Sequence, residues 1–340
     1  MRWKLITTYP NRELEEKWFD FLPDSTYPSH YTSPGFFNEP FWENRNPFAA
    51  LIFDEDKVSG VLTGLRAGKK IVSGLETRPQ VSIAKTADQK RVAAAFIEAL
   101  LSIARDGEIV SAHCSEQIEG FEEAGFSVKK ADGSFRVVML DLTAGKDEIF
   151  KGFSQTRRSD LRKAMRENKI RVSPIENVEE LEELHKIHVA WCNRKQIEPD
   201  KFESMKKMYR QKDYHRIFVA KLDGKIIAGS YFRYYKKALM EYAGNNSLPE
   251  YQHLRPNELL VWRSIEWACE NEIPLYSMGA SHPFLQRFGG EIVSSYRYQL
   301  DRTIWRRHEK KEAIENFAIK TYQNLPVSMR HKIKKILGKD

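Results

Sequence analysis

Three arginines on one stretch, Arg157, Arg158 and Arg162 in SQTRRSDLRKAMREN, are the side chains here best suited to holding phosphate. A guanidinium offers a fixed fork of donors that matches phosphate oxygens two at a time. Helical spacing puts Arg158 and Arg162 on one face and Arg157 about 100° away, so one substrate does not engage all three equally. The same residues also read as an exposed basic helix paired with Asp160 and Glu167. Farther on, Glu241 and Tyr242 are neighbours in a β-like run and point to opposite faces, so only one can face a cleft. A strand tyrosine is ordinarily core and an alternating glutamate ordinarily solvated. His185 and His188 stand one helical turn apart, but no third ligand lies nearby, so no metal site is expected. Ser281-His282 lacks the flanking glycines of a nucleophile elbow.

The elements that must position these residues come in a repeated order. In the second half, RIFVAKL, KIIAGSYFRYY and ALMEYAG read as three strands with turns at Asp223-Gly224 and Lys236-Lys237. A helix follows from Pro256, with Val261, Ile265, Ala268 and Cys269 on one face, then a short strand at Leu275 to Met278, a helix near Phe284 and a last strand ending at Leu300. The first half has AALIF, VSGVLTGL and KIVSGL, then a helix from Thr86 to Ala104. A strand from Glu108 to Ala112, a helix from Ser115 to Ala124 and a strand from Ser134 to Leu142 complete it. Residues 1 to 47 are irregular and proline-punctuated, apart from a helix over Arg12 to Phe21. Between the halves lie the arginine helix, the strand IRVSPI and a helix from Val178 to about Asn193. The order predicts two tandem copies of one mixed α/β unit.

Composition sets the class. The chain has 340 residues, of which 41% are hydrophobic and 30% charged, and that length suggests two domains. No apolar run approaches the roughly 20 residues of a membrane span, and MRWKLITTYPNRELEE has no secretory core, so a cytoplasmic protein is expected. Cys114, Cys192 and Cys269 are too few and too scattered for a disulfide framework or a zinc site. The net charge is +8, with basic residues gathered after Arg302 and in the tail PVSMRHKIKKILGKD. Such a field attracts tRNA, a nucleotide-linked sugar or an anionic membrane surface, the inner face of the membrane included. No DNA partner is expected.

Three antiparallel strands, a helix, a strand, a helix and a strand form the order of the GNAT acyltransferase fold. The chain resembles the FemABX-like group of that superfamily, which comprises peptidoglycan-bridge aminoacyltransferases and related proteins found near exopolysaccharide and exosortase genes. The resemblance rests on Thr156-Arg157 with Leu161, Arg162, Lys163 and Ala164, on the helix Leu259 to Ala268, and on Phe284 to Glu291. It implies a fold of two tandem GNAT-like domains, 1–145 and 146–305, with 306–340 returning as a helix and basic tail to the first. It also implies transfer of an acyl or aminoacyl group to an amine, with the site in the second copy and at the cleft between copies. In that fold two strands splay and expose backbone N–H groups to the donor carbonyl, which assigns Ala243, Gly244 and Asn245 to donor binding. Glu241 is the candidate acceptor of the amine proton, and Tyr242 or Tyr276 the candidate donor to the leaving group. Family members hold a nucleotide-linked precursor with an arginine of the Thr-Arg segment, which implies Arg157, Arg158 and Arg162, with Phe284, Arg287 and Phe288, as substrate-binding residues.

Two departures bear on the donor. CoA enzymes of the fold cradle the pyrophosphate on a glycine turn ahead of a helix, whereas this chain has LPEYQHLRPNELL, leaving the helix start at Arg255 to Glu258, with Asn257, to attract an anion. Where several aminoacyltransferases contact tRNA with Phe-Lys, this chain has Phe284-Leu285. The expected function is therefore acyl or aminoacyl transfer to an amine of a phosphate-bearing or lipid-linked envelope or exopolysaccharide precursor, with acyl-CoA or aminoacyl-tRNA as donor. A CoA-dependent N-acetyltransferase of an amino sugar or amino acid is the alternative enzyme. A silent scaffold that binds nucleotide, RNA or membrane is the alternative of another class.

Overall fold

Two mixed sheets, each wrapped by helices, make up the computed structural model, which describes residues 1–42, 45–74, 78–130, 136–235, 238–311, 313, 314 and 321. The first sheet takes β1 (Arg2–Ile6), β2 (Pro47–Asp54), β3 (Lys57–Ala67), β4 (Lys70–Val72), β5 (Val81–Ile83), β6 (Ile109–Cys114) and β7 (Ser127–Lys130). The second takes β8 (Val137–Asp141), β9 (Ile170–Pro174), β10 (His215–Leu222), β11 (Lys225–Tyr235), β12 (Leu239–Ser247), β13 (Leu275–Ser277) and β14 (Glu291–Val293). The last strand, β15 (Tyr296–Asp301), goes back to the first sheet.

Helices α1 (Arg12–Phe21) and α2 (Gln89–Ile103) cover the first sheet, and α3 (Lys146–Gly152), α4 (Gln155–Glu167), α5 (Val178–Lys195), α6 (Phe202–Arg210), α7 (Pro256–Glu270) and α8 (Pro283–Gln286) serve the second. Period-two alternation decides which helix packs on which face. In β10, Ile217 and Val219 meet Leu184, Met205 and Met208 of α5 and α6, while Phe218 and Ala220 share a core with Leu260 and Ile265 of α7. Side-chain caps fix the helix starts: Asp88 accepts from Arg91 N and Asn177 from Glu180 N.

The expected tandem of mixed α/β units is present, but each unit lends the other a strand. β8 lies between β14 and β13 in the second sheet, and β15 lies between β6 and β7 in the first. Val138 and Leu140 thus belong to the second core. Tyr298 belongs to the first, where its ring stacks on Phe121 at 4.6 Å and its hydroxyl accepts from Ile118 N at 2.8 Å. Neither sheet is complete within the span expected for it.

Smaller differences have local causes. Residues 119–125 form turns instead of the expected helix, because Gly120 and Gly125 take φ of +101° and +86°. β1 forms in a segment expected to be irregular, by pairing with β2. The Lys236-Lys237 turn and residues 322–340, with the basic tail, lie outside the described residues. The helix expected within 306–340 starts at Arg307, after a 3-10 turn over Ile304–Arg306, and Ser127 Oγ donates to Glu309 on it at 3.2 Å. Among the described residues no helix is long and apolar enough to cross a membrane.

The exchanged strands predict one cooperative unit. Far-UV circular dichroism and tryptophan fluorescence should report coincident urea transitions for the whole chain, and a 1–145 fragment should lack near-UV signal and cooperative unfolding. A fragment that unfolds cooperatively on its own would contradict the exchange.

Candidate active site

Strand β12 pairs with β13 only from Leu239 to Glu241, and then runs on to Ser247 while β13 ends at Ser277. On its other side β12 stays with β11, but the register slips, so that Tyr231 faces Gly244, Phe232 faces Tyr242, and Ala243 is left over as a bulge. A bulge re-aims the backbone and ends regular pairing. Gly244 takes φ +156°, and a Cβ placed on it would meet nothing within 4 Å. Glycine there serves the backbone conformation rather than a crowded approach.

This splayed segment walls a cleft of about 520 Å³ between the two units. The second unit contributes Ala243 to Asn246, Tyr231 and Arg233, together with His188 and Trp191 of α5 and Met205 and Met208 of α6. The first contributes Tyr31, Glu39, Phe41, Trp42 and Arg78.

A buried ion pair joins the two sides. The guanidinium of Arg233 takes both oxygens of Glu39, with Nε 3.1 Å from Oε1 and 3.0 Å from Oε2, and Nη2 also on Oε1. His30 donates from Nε2 to Oε2 at 2.9 Å, and His215 Nε2 lies 3.6 Å from the same oxygen. Burial alone would raise the Glu39 carboxyl, but Arg233 and the two histidines hold it well below the usual carboxylate range. Burial pushes His30 down to about 4 and lowers His215 as well, so both are neutral at pH 7. The three ligand atoms of His30, Glu39 and His215 lie within 4.8 Å of one another, a spacing that suits a cation. The guanidinium clasped on the same carboxylate opposes one.

Glu241 is 1% exposed and faces the first unit, beside the lining residues Arg78 and Arg233. Its Oε1 accepts from Tyr27 Oη at 3.3 Å, and Oε2 has no partner among the described residues. Burial raises its pKa, against the opposing pull of Arg78 and Arg233. The opposite-face expectation holds: Tyr242 packs with the α7 core and donates from Oη to Asn245 Oδ1 at 2.6 Å. Tyr242 therefore sets the orientation of a lining residue. Tyr276 is fully buried with its hydroxyl 2.8 Å from Ser264 Oγ of α7, which corrects its expected contact with a leaving group.

The arginine cluster lies elsewhere, and none of its residues lines the cleft. Arg157 is 1% exposed; Nη1 is 3.0 Å from Glu258 Oε1, Nη2 donates to Phe284 O at 3.0 Å, and the group sits about 4.5 Å from the ring centres of Phe284 and Phe288. A guanidinium so enclosed is a core strut, which corrects the phosphate-binding role expected for it. Arg158 donates to the carbonyls of Lys151 and Phe153, and exposed Arg162 lies over the Phe150 ring. Arg287 is exposed, while Phe288 is fully buried.

The start of α7 does not fit a CoA pyrophosphate. It follows a 3-10 turn over Pro249–Leu254, and Arg255 takes the left-handed conformation at the N-cap. The Glu258 carboxylate occupies its first turn, held by Arg157 and, at 3.9 Å, by Arg255. Arg255 also reaches Asp160 at 3.4 Å, and Asn257 donates to Ser247 Oγ at 3.2 Å. The positive end of the helix is thus met by the chain's own anion.

Sequence reasoning missed the half of the cleft built by the first unit. His30, Tyr31, Thr32, Ser33 and Phe36 are buried in a segment without periodicity, held by side-chain bonds such as Trp18 Nε1 to Thr32 O at 2.8 Å. The available signal was the density of aromatic residues between prolines. His188, for which no metal role is expected, lines the cleft; it accepts from Asp200 N at Nε2 (3.0 Å), which leaves Nδ1 protonated and 3.1 Å from Asn246 Oδ1.

The strut assignment is testable. Arg157→Ala should cost about 3–5 kcal/mol in urea unfolding by stranding Glu258, while Arg158→Ala should cost under about 1 kcal/mol. An Arg157→Ala protein of wild-type stability would return Arg157 to the list of ligand-binding groups.

Residues 152–297 match the model of the Acetyltransferase (GNAT) domain, and no curated protein matches the chain. The fold is similar to that of FemX, at 12% identity and TM-score 0.69 over 89% of this chain and 98% of that one. It is also similar to the lysylphosphatidylglycerol synthetase domain from Agrobacterium fabrum, at 12% identity and TM-score 0.57 over 85% and 92%. A tandem GNAT protein of clavulanic acid biosynthesis compares at 11% identity and TM-score 0.55 over 88% and 99%. Residues 152–297 are thus similar to a GNAT acetyltransferase domain, and the whole chain has a fold similar to that of FemX and of a tandem GNAT protein.

Proposed function

We propose that this protein transfers an acyl or aminoacyl group to an amine in the cleft between its two units. The observation that carries the reading is the coincidence of three features on one wall: the end of β12–β13 pairing, the bulge at Ala243, and Gly244 facing the cleft. Backbone N–H groups of Ala243, Gly244 and Asn245 would stabilise the carbonyl oxygen as it gains charge. The amine nitrogen bonds to the carbonyl carbon, and the bond to the donor's sulfur or oxygen breaks. The amine proton passes through water to Glu241, which lies behind the lining and whose Oε2 has no partner among the described residues, and the departing group takes up a proton from solvent.

The proposed acceptor is an amine of a cell-envelope or exopolysaccharide precursor, a reading supported by the sequence resemblance to FemABX-like proteins. Acyl-CoA is the general donor of the fold. The self-occupied start of α7 weighs against the usual pyrophosphate seat, and so favours a donor held by other contacts, aminoacyl-tRNA among them.

The test is transfer of labelled acyl groups from acetyl-CoA, long-chain acyl-CoA and charged tRNA to a panel of amines. Gly244→Ala should lower kcat at least about tenfold through the exposed-amide geometry. Glu241→Gln should lower kcat by about 10²–10⁴. A carboxylate that accepts the proton works when deprotonated, so wild-type kcat should rise with pH through the elevated Glu241 pKa, and Glu241→Gln should abolish that limb. A pH profile that Glu241→Gln leaves unchanged removes Glu241 from the mechanism, and absence of transfer from every donor favours a silent scaffold.

A further inference from the structure

Phe41, Trp42, Trp191, Met205 and Met208 supply the apolar lining of the cleft, where sulfur and ring surface adapt to varied apolar shapes, and Phe41 packs with both the methionines and Trp42. Arg78 stands at the splayed strand. It reaches from the first unit to the second, with Nη2 donating to Tyr242 O at 3.3 Å, and its charge lies 5.8 Å from the centre of the Tyr31 ring. Its buried Nε has no hydrogen-bond partner among the described residues. Arg233, the other guanidinium of the lining, is committed to Glu39 by three contacts. Among the described lining residues, Arg78 is therefore the guanidinium with no carboxylate hydrogen-bonded to it, although the buried Glu241 carboxyl lies beside it.

The geometry points to Arg78 as the anchor for a ligand carboxylate, and to an acceptor that joins this carboxylate and an amine to an apolar or aromatic body. The carboxylate is favoured over phosphate by charge. Glu39 is neutralised by Arg233, so the unpaired lining charges are Arg78 and Asp200, with the Glu241 carboxyl buried beside Arg78; a monoanion matches Arg78 one to one, whereas a dianion leaves a charge facing these carboxyl groups. Position agrees with chemistry. Tyr242, whose carbonyl Arg78 holds, immediately precedes Ala243, so a carboxylate on Arg78 sets a neighbouring amine beside the exposed amides. The apolar body then meets the apolar lining of the same cleft. A free α-amino acid with a large apolar side chain has this pattern. Its assignment as acceptor rests on the acyl-transfer reading, while its binding does not.

The experiment is calorimetric titration of the whole chain with phenylalanine, phenylalaninamide and phenyl phosphate, in the absence of any acyl donor. Phenylalanine should bind at least tenfold more tightly than either of the others. Arg78→Gln should erase the preference for acid over amide, and Arg78→Lys should keep part of it because the charge remains. The wild-type comparison of acid and amide does not depend on how well any variant folds. Equal binding of acid and amide, tighter binding of phenyl phosphate, no binding of any probe, or a preference that survives Arg78→Gln would each overturn the proposal. Binding without transfer would sink the acyl-transfer reading and leave the carboxylate site standing.

Discussion

The Glu39–Arg233 pair is the constraint on which the cleft depends. A carboxylate from the first unit and a guanidinium from β11 are both withdrawn from water, at several kcal/mol of lost hydration each, and only close mutual contact offsets that. His30, Tyr31 and His215 complete the surroundings, so neither charge tolerates a shift of its partner. The two units are thereby pinned at the floor of the cleft. Neutral histidines beside the carboxylate keep it ionised without adding competing cations.

The strand exchange serves the same end at the opposite side of each sheet. β8 and β15 leave their own units and complete the neighbour's, so relative motion of the units would break ladder hydrogen bonds as well as the ion pair. A site whose walls come from two units needs such fixing, because a small misplacement of a positioning group is costly in rate. Rigidity also explains how β12 can leave its ladder after Glu241. Tyr242 is locked into the α7 core and its hydroxyl holds Asn245, while Arg78 takes the Tyr242 carbonyl.

What the sequence disclosed follows from periodicity. The two meanders, the long helices and the tandem order are short-range patterns, and the alternation in β10 and β11 is visible residue by residue. The splayed wall was legible only through the family resemblance, which assigned Ala243 to Asn245 at the end of the third strand to it. Partner choice was not. The sequence signals for β8 and β15 end each half, and nothing local tells a strand that it pairs across units. Residues 25 to 42 have no period at all. They are ordered by bonds such as Trp42 Nε1 to Phe36 O and by the Glu39 pair, which involve residues distant in sequence or irregular in spacing.

The arginines make the same point about charge. Arg157 and Arg78 have the same functional group, and only Arg157 sits in a stretch whose composition advertises anion binding. Burial reverses their roles. Arg157 is held between two aromatic rings and Glu258, so an incoming phosphate would have to displace a buried carboxylate from the positive end of α7. Arg78 touches a carbonyl and a ring, and Asp200 on the cleft wall and the buried Glu241 carboxyl beside it discourage highly charged ligands. Electrostatic availability, which depends on what the fold has already paired, therefore selects the anion-binding group more strictly than local basicity does.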